Sequence, residues 1–286
     1  MAGHTHDDVD WAARLPAMRR AGALEAGALA GVAARLTADL PAGATVVDVG
    51  CGAGGMSAAL AATLDTGARL VLVDATPELL AEAKSVAAQA ADGVRIQTVE
   101  ADVAAGLPAE VPPADLIWAS HVVHHLPDQQ AGVGLLAGAL ATGGLLALAE
   151  GGLDTRCLPQ DVGPGGLGLE GRLLAARDEW FRELRETMPG SVRLPNGWNI
   201  ALTDAGLTGV GSFSYLVEHP APASPAVREY VAGHLGWLAE VLEERLGAED
   251  LAAVRTLLDP EAAEYVGARE DVFLLGTRTV HYGRSS

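Results

Sequence analysis

Lysine occurs once in the 286 residues, at Lys84, and 19 Lys and Arg together face 37 Asp and Glu, a formal net charge of −18. Phosphate recognition needs clustered cations that release counterions, so a chain this short of positive charge is not built as a general nucleic-acid binder. The carboxylate surplus reads as a solvated acidic surface that favours solubility, with attraction of a cationic ligand as the alternative. The Ala, Gly and Arg bias beside one lysine reflects a GC-rich genome rather than a function.

Cysteine is almost as scarce. Cys51 and Cys157 stand in unrelated contexts and form neither a disulfide framework nor a metal pair, which fits a reducing cytoplasm. A leader pattern is missing: Met1 to Asp10 is polar and acidic where a signal peptide is basic and then apolar, so it reads as a flexible arm. One uncharged run is long enough to suggest a membrane span, Ala131 to Ala149, but Thr142-Gly143-Gly144 interrupts it. It reads as a helix over Gln129 to Leu140, a Gly-Gly turn, and a buried strand over Leu145 to Ala149. With 49% hydrophobic and 20% charged residues the chain is not disordered, and its length holds one large domain or a domain plus a smaller cap.

What is present is an alternation. Short apolar runs at Thr45 to Val49, Leu70 to Val73, Val94 to Val99, Leu116 to Ala119 and Leu145 to Ala149 recur about every 25 residues, with helical stretches between them. Strands apolar on both faces and joined by helices predict a parallel sheet covered on both sides, whose ligands bind at the carboxyl ends of the strands. Thr76, Pro77 and Glu78 mark a capped helix start, and that helix runs to Ala90. Ahead of the first strand, Trp11 to Leu40 reads as one or two helices broken near Gly22.

After Glu150 the alternation fails. A Gly/Pro-rich stretch from Gly151 to Gly168 leads into an amphipathic helix whose apolar face includes Leu173, Trp180, Phe181 and Leu184. Strands are expected at Val210 to Val217 and Val272 to Val280, with helices at Ser224 to Leu246 and Glu249 to Leu258 between them.

Chemistry concentrates in Val46-Val-Asp-Val-Gly-Cys-Gly-Ala-Gly-Gly55, a buried strand entering a glycine turn and then a helix from Met56. Glycine there permits a tight turn and close approach of a ligand to the backbone. Gly50, Gly52 and Gly55 also satisfy the dinucleotide pattern, with Asp74 about 20 residues on, so an NAD-dependent oxidoreductase is one reading. Asp48 opposes it. A carboxylate just before the turn repels a pyrophosphate, whereas it suits a cationic sulfonium or ammonium, directly or through water; its alternative role is to satisfy backbone amides of the turn.

With its neighbours, Asp48-Val-Gly-Cys-Gly-Ala-Gly-Gly55 resembles the first motif of class I S-adenosylmethionine (SAM)-dependent methyltransferases of the small-molecule and quinone type. The resemblance covers Thr45 to Glu150 and implies an α/β Rossmann-like fold: a seven-stranded, mostly parallel sheet, helices on both faces, the last strand antiparallel. It implies Gly50, Cys51 and Gly52 against the cofactor, Asp74 at the two ribose hydroxyls, Asp102 at the adenine amino group and the Val103 backbone at the ring. Asp48, Ala75 and Ser120 complete the expected cofactor set. Ala114-Asp-Leu-Ile-Trp-Ala-Ser-His-Val-Val-His-His-Leu-Pro-Asp128 resembles the fourth-strand motif, and Leu140-Ala-Thr-Gly-Gly-Leu-Leu completes the pattern. Ala119-Ser-His-Val stands where an NPPY-like motif would serve nucleobase or glutamine amides, so those acceptors are disfavoured.

The implied activity is transfer of a methyl group from SAM, leaving S-adenosyl-L-homocysteine, to oxygen or nitrogen, and less readily carbon, of a small-molecule acceptor. A non-catalytic SAM-binding protein is the other alternative. His121, His124 and His125 gather where the fourth strand ends, and a histidine near neutral pKa can take an acceptor proton. His125 is the first choice as base and His121 the second, with packing as the alternative role. His4, His6, His219, His234 and His281 show no metal-ligand spacing, and no metal is expected.

The expected organisation is a helical arm at 1–40, then a SAM-binding core at 41–154 that continues at 191–221 and ends in a strand at 271–286. Helical insertions at 155–190 and 222–270 form a cap over the strand ends, with Trp180, Phe181, Tyr230 and Trp237 as wall residues. A homodimer interface or plain packing is the alternative use of their apolar faces. No membrane partner is expected.

Overall fold

The structure, a computed structural model, describes residues 10–286; His4, His6 and the arm expected before Asp10 lie outside the described residues. It divides into two compact units: residues 10–152 with Pro189–Tyr215 and Arg278–Ser286, and Leu153–Met188 with Leu216–Thr277.

The first unit is built on α1 (Leu15–Thr37), β1 (Thr45–Val49), α2 (Gly55–Ala61), β2 (Arg69–Asp74), α3 (Pro77–Ala90), β3 (Arg95–Glu100), β4 (Ala114–Ser120), α4 (Gln129–Gly138) and β5 (Leu140–Ala149). The helix α6 (Trp198–Asp204) and the strands β6 (Thr208–His219) and β7 (Leu274–Arg284) complete a seven-stranded sheet of order β3-β2-β1-β4-β5-β7-β6. Strands β1 to β5 pair in parallel, and β7 lies antiparallel to β5.

Period-two burial explains why these runs are strands. Val46, Leu70, Leu72, Leu116 and Trp118 face one layer, where they meet α1, α2 and α3. The residues between them, Val47, Val71, Val73 and Ile117, face the other, against α4 and α6. The order of strands reverses between β1 and β4, and such a switch opens a crevice at the strand carboxyl ends.

Several expectations shift. The first helix runs unbroken through Gly22, because an interior glycine costs only about 1 kcal/mol and α1 packs closely on α2 there. Strand β5 starts at Leu140 and passes through Thr142-Gly143-Gly144, with a register irregularity against β4 that admits Gly143 at φ +77°. The expected Gly-Gly turn is thus part of the strand, and α4 ends at Gly138. Thr76 occupies the cap position of α3, but its side chain makes no capping bond; Asp128 does cap α4, accepting from the Ala131 amide at 2.9 Å. The short helix α6, buried through Ala201 and Leu202, was not expected; at seven residues it is too short to show a helical period in sequence. No described helix is long and apolar enough to cross a membrane.

The second unit contains α5 (Leu169–Thr187), α7 (Pro225–Val241) and α8 (Ala248–Leu258). Helix α7 stops at Val241 rather than Leu246. Leu173 and Leu174 of α5, Val231 and Leu235 of α7, and Val254 and Leu257 of α8 are buried, and Arg172 pairs with Asp250 at 2.7 Å. Trp180 meets Trp237 edge to face at 6.1 Å, while Tyr230, His234 and Trp237 stack in sequence along α7.

Candidate functional site

The glycine turn after β1 is tied to the next strand: the Gly50 and Cys51 amides both donate to the Val73 carbonyl, at 2.7 and 3.1 Å. Gly50 has φ +63°, and a β-carbon there would lie 2.3 Å from Val122 Cγ2, so the turn fits directly against the segment after β4. Asp74, the last residue of β2, closes the turn from the side. Its Oδ2 accepts from the Gly52 amide at 3.0 Å and its Oδ1 from the Thr76 amide at 2.9 Å. An ionised carboxylate has about four acceptor positions, so Asp74 can still take two hydroxyl donors.

Asp74 pairs in register with Glu100 on β3, which brings Asp102, two residues further on, to the adjacent strand end. Asp102 accepts from the Ala104 amide at 2.8 Å and caps the 3-10 turn Val103–Ala105. The Val103 side chain is buried in the core, so only its backbone is available to a ligand. Ala75 is exposed beside Asp74.

Asp48 sits differently from the expectation of a carboxylate facing the ligand. It is buried and accepts a hydrogen bond from the Ser57 hydroxyl of α2 at 2.5 Å, so it holds strand to helix behind the turn. Burial pushes its pKa up to about 7, with the Ser57 bond opposing and the nearby Asp74 charge adding. Cys51 is buried as well; burial first, then Asp48 and Asp74, push its thiol far up, so it stays protonated.

At the end of β4 the three histidines meet: the rings of His124 and His125 are 4.0 Å apart and those of His121 and His124 are 5.8 Å apart. Trp11 lies 6.0 Å from His125. His121 is at φ +55°, a strained conformation for a residue with a β-carbon, and its Nδ1 is 3.1 Å from the Ser120 hydroxyl. Its ring keeps an open side but is crowded elsewhere, and this desolvation pushes its pKa down to about 4; Glu150 opposes the shift, while Arg278 and His124 add to it.

Glu150 is the residue that sequence reasoning missed. It follows six buried strand residues, is itself buried, and its Oε2 lies 2.6 Å from His124 Nδ1. A carboxylate directly after an apolar strand was the available signal. Among the described residues no three His, Cys, Asp or Glu gather as a metal site.

The chain therefore presents four adjacent strand ends: a close-packed glycine turn, two carboxylates with acceptor capacity, and a histidine cluster. Residues 46–144 match the family profile described as "Methyltransferase domain". The trans-aconitate 2-methyltransferase of Azoarcus sp. is 38% identical over 105 residues, 37% of this chain and 38% of that protein. The ubiquinone biosynthesis O-methyltransferase of Xanthomonas campestris is 38% identical over 120 residues, 41% of this chain and 46% of that protein. The chain thus matches less than half the length of each of these two curated relatives. A SAM-dependent methyltransferase from Thiobacillus denitrificans, solved with S-adenosyl-L-homocysteine, is 18% identical with a TM-score of 0.46, covering 88% of this chain and 89% of that one.

Proposed function

Residues 46–144 are a methyltransferase domain of the class I SAM-dependent family, and from that premise we propose that the whole chain transfers a methyl group to a small-molecule acceptor. The observation that carries the reading is Asp74: it braces the glycine turn through Gly52 and keeps acceptor capacity for a ribose. The residues present fit SAM, since the turn leaves no room for a side chain at Gly50 and the carboxylates lie on successive strand ends.

SAM, when bound, supplies a methyl group activated by its sulfonium. The chain's own work is to hold the cofactor between the glycine turn, Asp74 and Asp102, and to take a proton from an acceptor that carries one. His125 is the proposed base and His121 the second choice. An oxygen acceptor is favoured, because relatives matched across this domain are named O-methyltransferases. The helices of the second unit are proposed to supply acceptor specificity.

Calorimetry with SAM and S-adenosyl-L-homocysteine tests the first part. Each lost charge-assisted bond is worth about 1.5–3 kcal/mol, so Asp74→Ala is expected to weaken SAM binding at least about tenfold. Unchanged affinity in that variant, or tight NAD binding by the parent, overturns the cofactor assignment. Transfer of label from methyl-labelled SAM to a panel of hydroxyl and amine compounds tests the second part. SAM binding without transfer to any of them points to a non-catalytic protein.

A further inference from the structure

One carboxylate organises the whole segment after β4. Glu150 Oε1 accepts from the amides of Val122 at 3.1 Å and Val123 at 2.9 Å, with the His124 amide further off at 3.4 Å. Its Oε2 faces His124 Nδ1 at 2.6 Å. The backbone adds to this hold, because the His121 amide donates to the Ala149 carbonyl at 3.1 Å, and His281 Nε2 lies 3.2 Å from the Glu150 carbonyl. The left-handed His121 thus sits between two anchored points, Ala149 on one side and Glu150 on the other.

The chemistry of the pair fixes a proton. An ionised carboxylate only accepts, so a contact at 2.6 Å requires a hydrogen on His124 Nδ1, and whenever the ring carries one hydrogen Nε2 is its basic nitrogen. Nothing about simple packing requires that. An apolar residue just after β5 would fill the space but could accept neither from the Val122 and Val123 amides nor from His124, and a buried carboxylate is costly unless such bonds are used.

We infer that Glu150 is a positioning residue of the proposed methyl transfer: through His124 it sets the tautomer and orientation of the histidine cluster that receives the acceptor proton. The inference rests on the proposed transferase reading for its role, but not for its geometry. His124 packs on His125 at 4.0 Å and meets His121 edge to face, so turning its ring disturbs both proposed bases. Among the described residues, the charged and titratable groups that face the cluster include Glu150 just after β5, His121 and His125 from the same segment, and Arg278 and His281 from β7.

Glu150→Gln separates the proton argument from packing. A glutamine can keep its oxygen on the backbone amides, but it then turns its NH2 toward His124 Nδ1, which must become an acceptor. Nitrogen-15 NMR of the full chain with S-adenosyl-L-homocysteine is expected to show the His124 hydrogen moving from Nδ1 to Nε2. Single-turnover transfer is expected to fall about tenfold or more with an altered pH profile, while SAM affinity stays at the parental value. His124→Asn guards against misfolding of the first variant, because its amide still donates to Glu150; the same loss of rate is expected. Parental rates and pH profiles in both variants overturn the inference, as does a parental Nε2–H tautomer or a rate loss that merely follows lost SAM affinity. If the parent transfers no methyl group at all, the proposed function fails. The tautomer measurement still decides whether Glu150 sets the ring.

Discussion

The Asp48 carboxylate accepts the Ser57 hydroxyl at 2.5 Å in a setting with almost no solvent, joining the strand before the glycine turn to the helix after it. Its charge is therefore a burden on the fold. The folded pKa, about 7, lies above the ordinary 3.8, so the folded state binds the proton more tightly than the unfolded chain. Stability is expected to fall as pH rises from about 4 to about 7 through this group. Asp48→Asn, which keeps an oxygen for Ser57, should remove that slope. Urea titrations of parent and variant across this range check it, and an identical slope in both counts against the assignment.

Gly54 shows how little freedom the turn has. Its φ is +80°, and a β-carbon would lie 2.5 Å from the Ala83 Cα of α3. A left-handed backbone costs a side-chain-bearing residue about 1–2 kcal/mol, and a clash with backbone adds about 1–3 kcal/mol more. Gly54→Ala should lose about 2–5 kcal/mol of stability, read by chemical denaturation. A change below about 1 kcal/mol would show that α2 and α3 separate easily.

For the proposed bases, His121→Gln and His125→Gln separate chemistry from packing. Loss of a general base lowers the single-turnover rate about 10²–10⁴-fold with unchanged thermal stability, whereas loss of a packing residue lowers both together. Because crowding pushes the His121 pKa down to about 4, a rate that depends on its neutral ring should hold until well below neutrality. Parental rates in both variants at every pH would mean that catalysis proceeds by alignment alone.

The second unit concentrates aromatic rings, with Trp180 against Trp237 and Tyr230 in line with His234. If the helices of the second unit supply acceptor specificity as proposed, each lost aromatic contact with the acceptor is worth about 0.5–1.5 kcal/mol, so Trp180→Ala and Trp237→Ala should each raise the acceptor KM about three- to tenfold. SAM affinity should not move. An unchanged acceptor KM in both would assign these rings to packing within the unit.

Much of the sheet was legible because it is written locally. A parallel strand buried on both faces is apolar at nearly every position, and β1 at Thr45–Val49 coincides with its apolar run, Asp48 apart. The glycine turn and Asp74 were legible for the same reason: a left-handed turn and a carboxylate at a strand end are properties of a few consecutive residues. What only the tertiary structure decided depends on groups far apart in the chain. Sequence cannot say that Asp48 spends its charge on Ser57, because burial is a property of the packed layers. Nor can it say that Glu150 reaches back 26 residues to His124, since a strand end and a neighbouring strand's loop meet only once the parallel register is set. Residue types and their local order determined the sheet and the turn; which polar groups face one another was decided by strand pairing, because hydrogen bonds are short-ranged and need their partners in place.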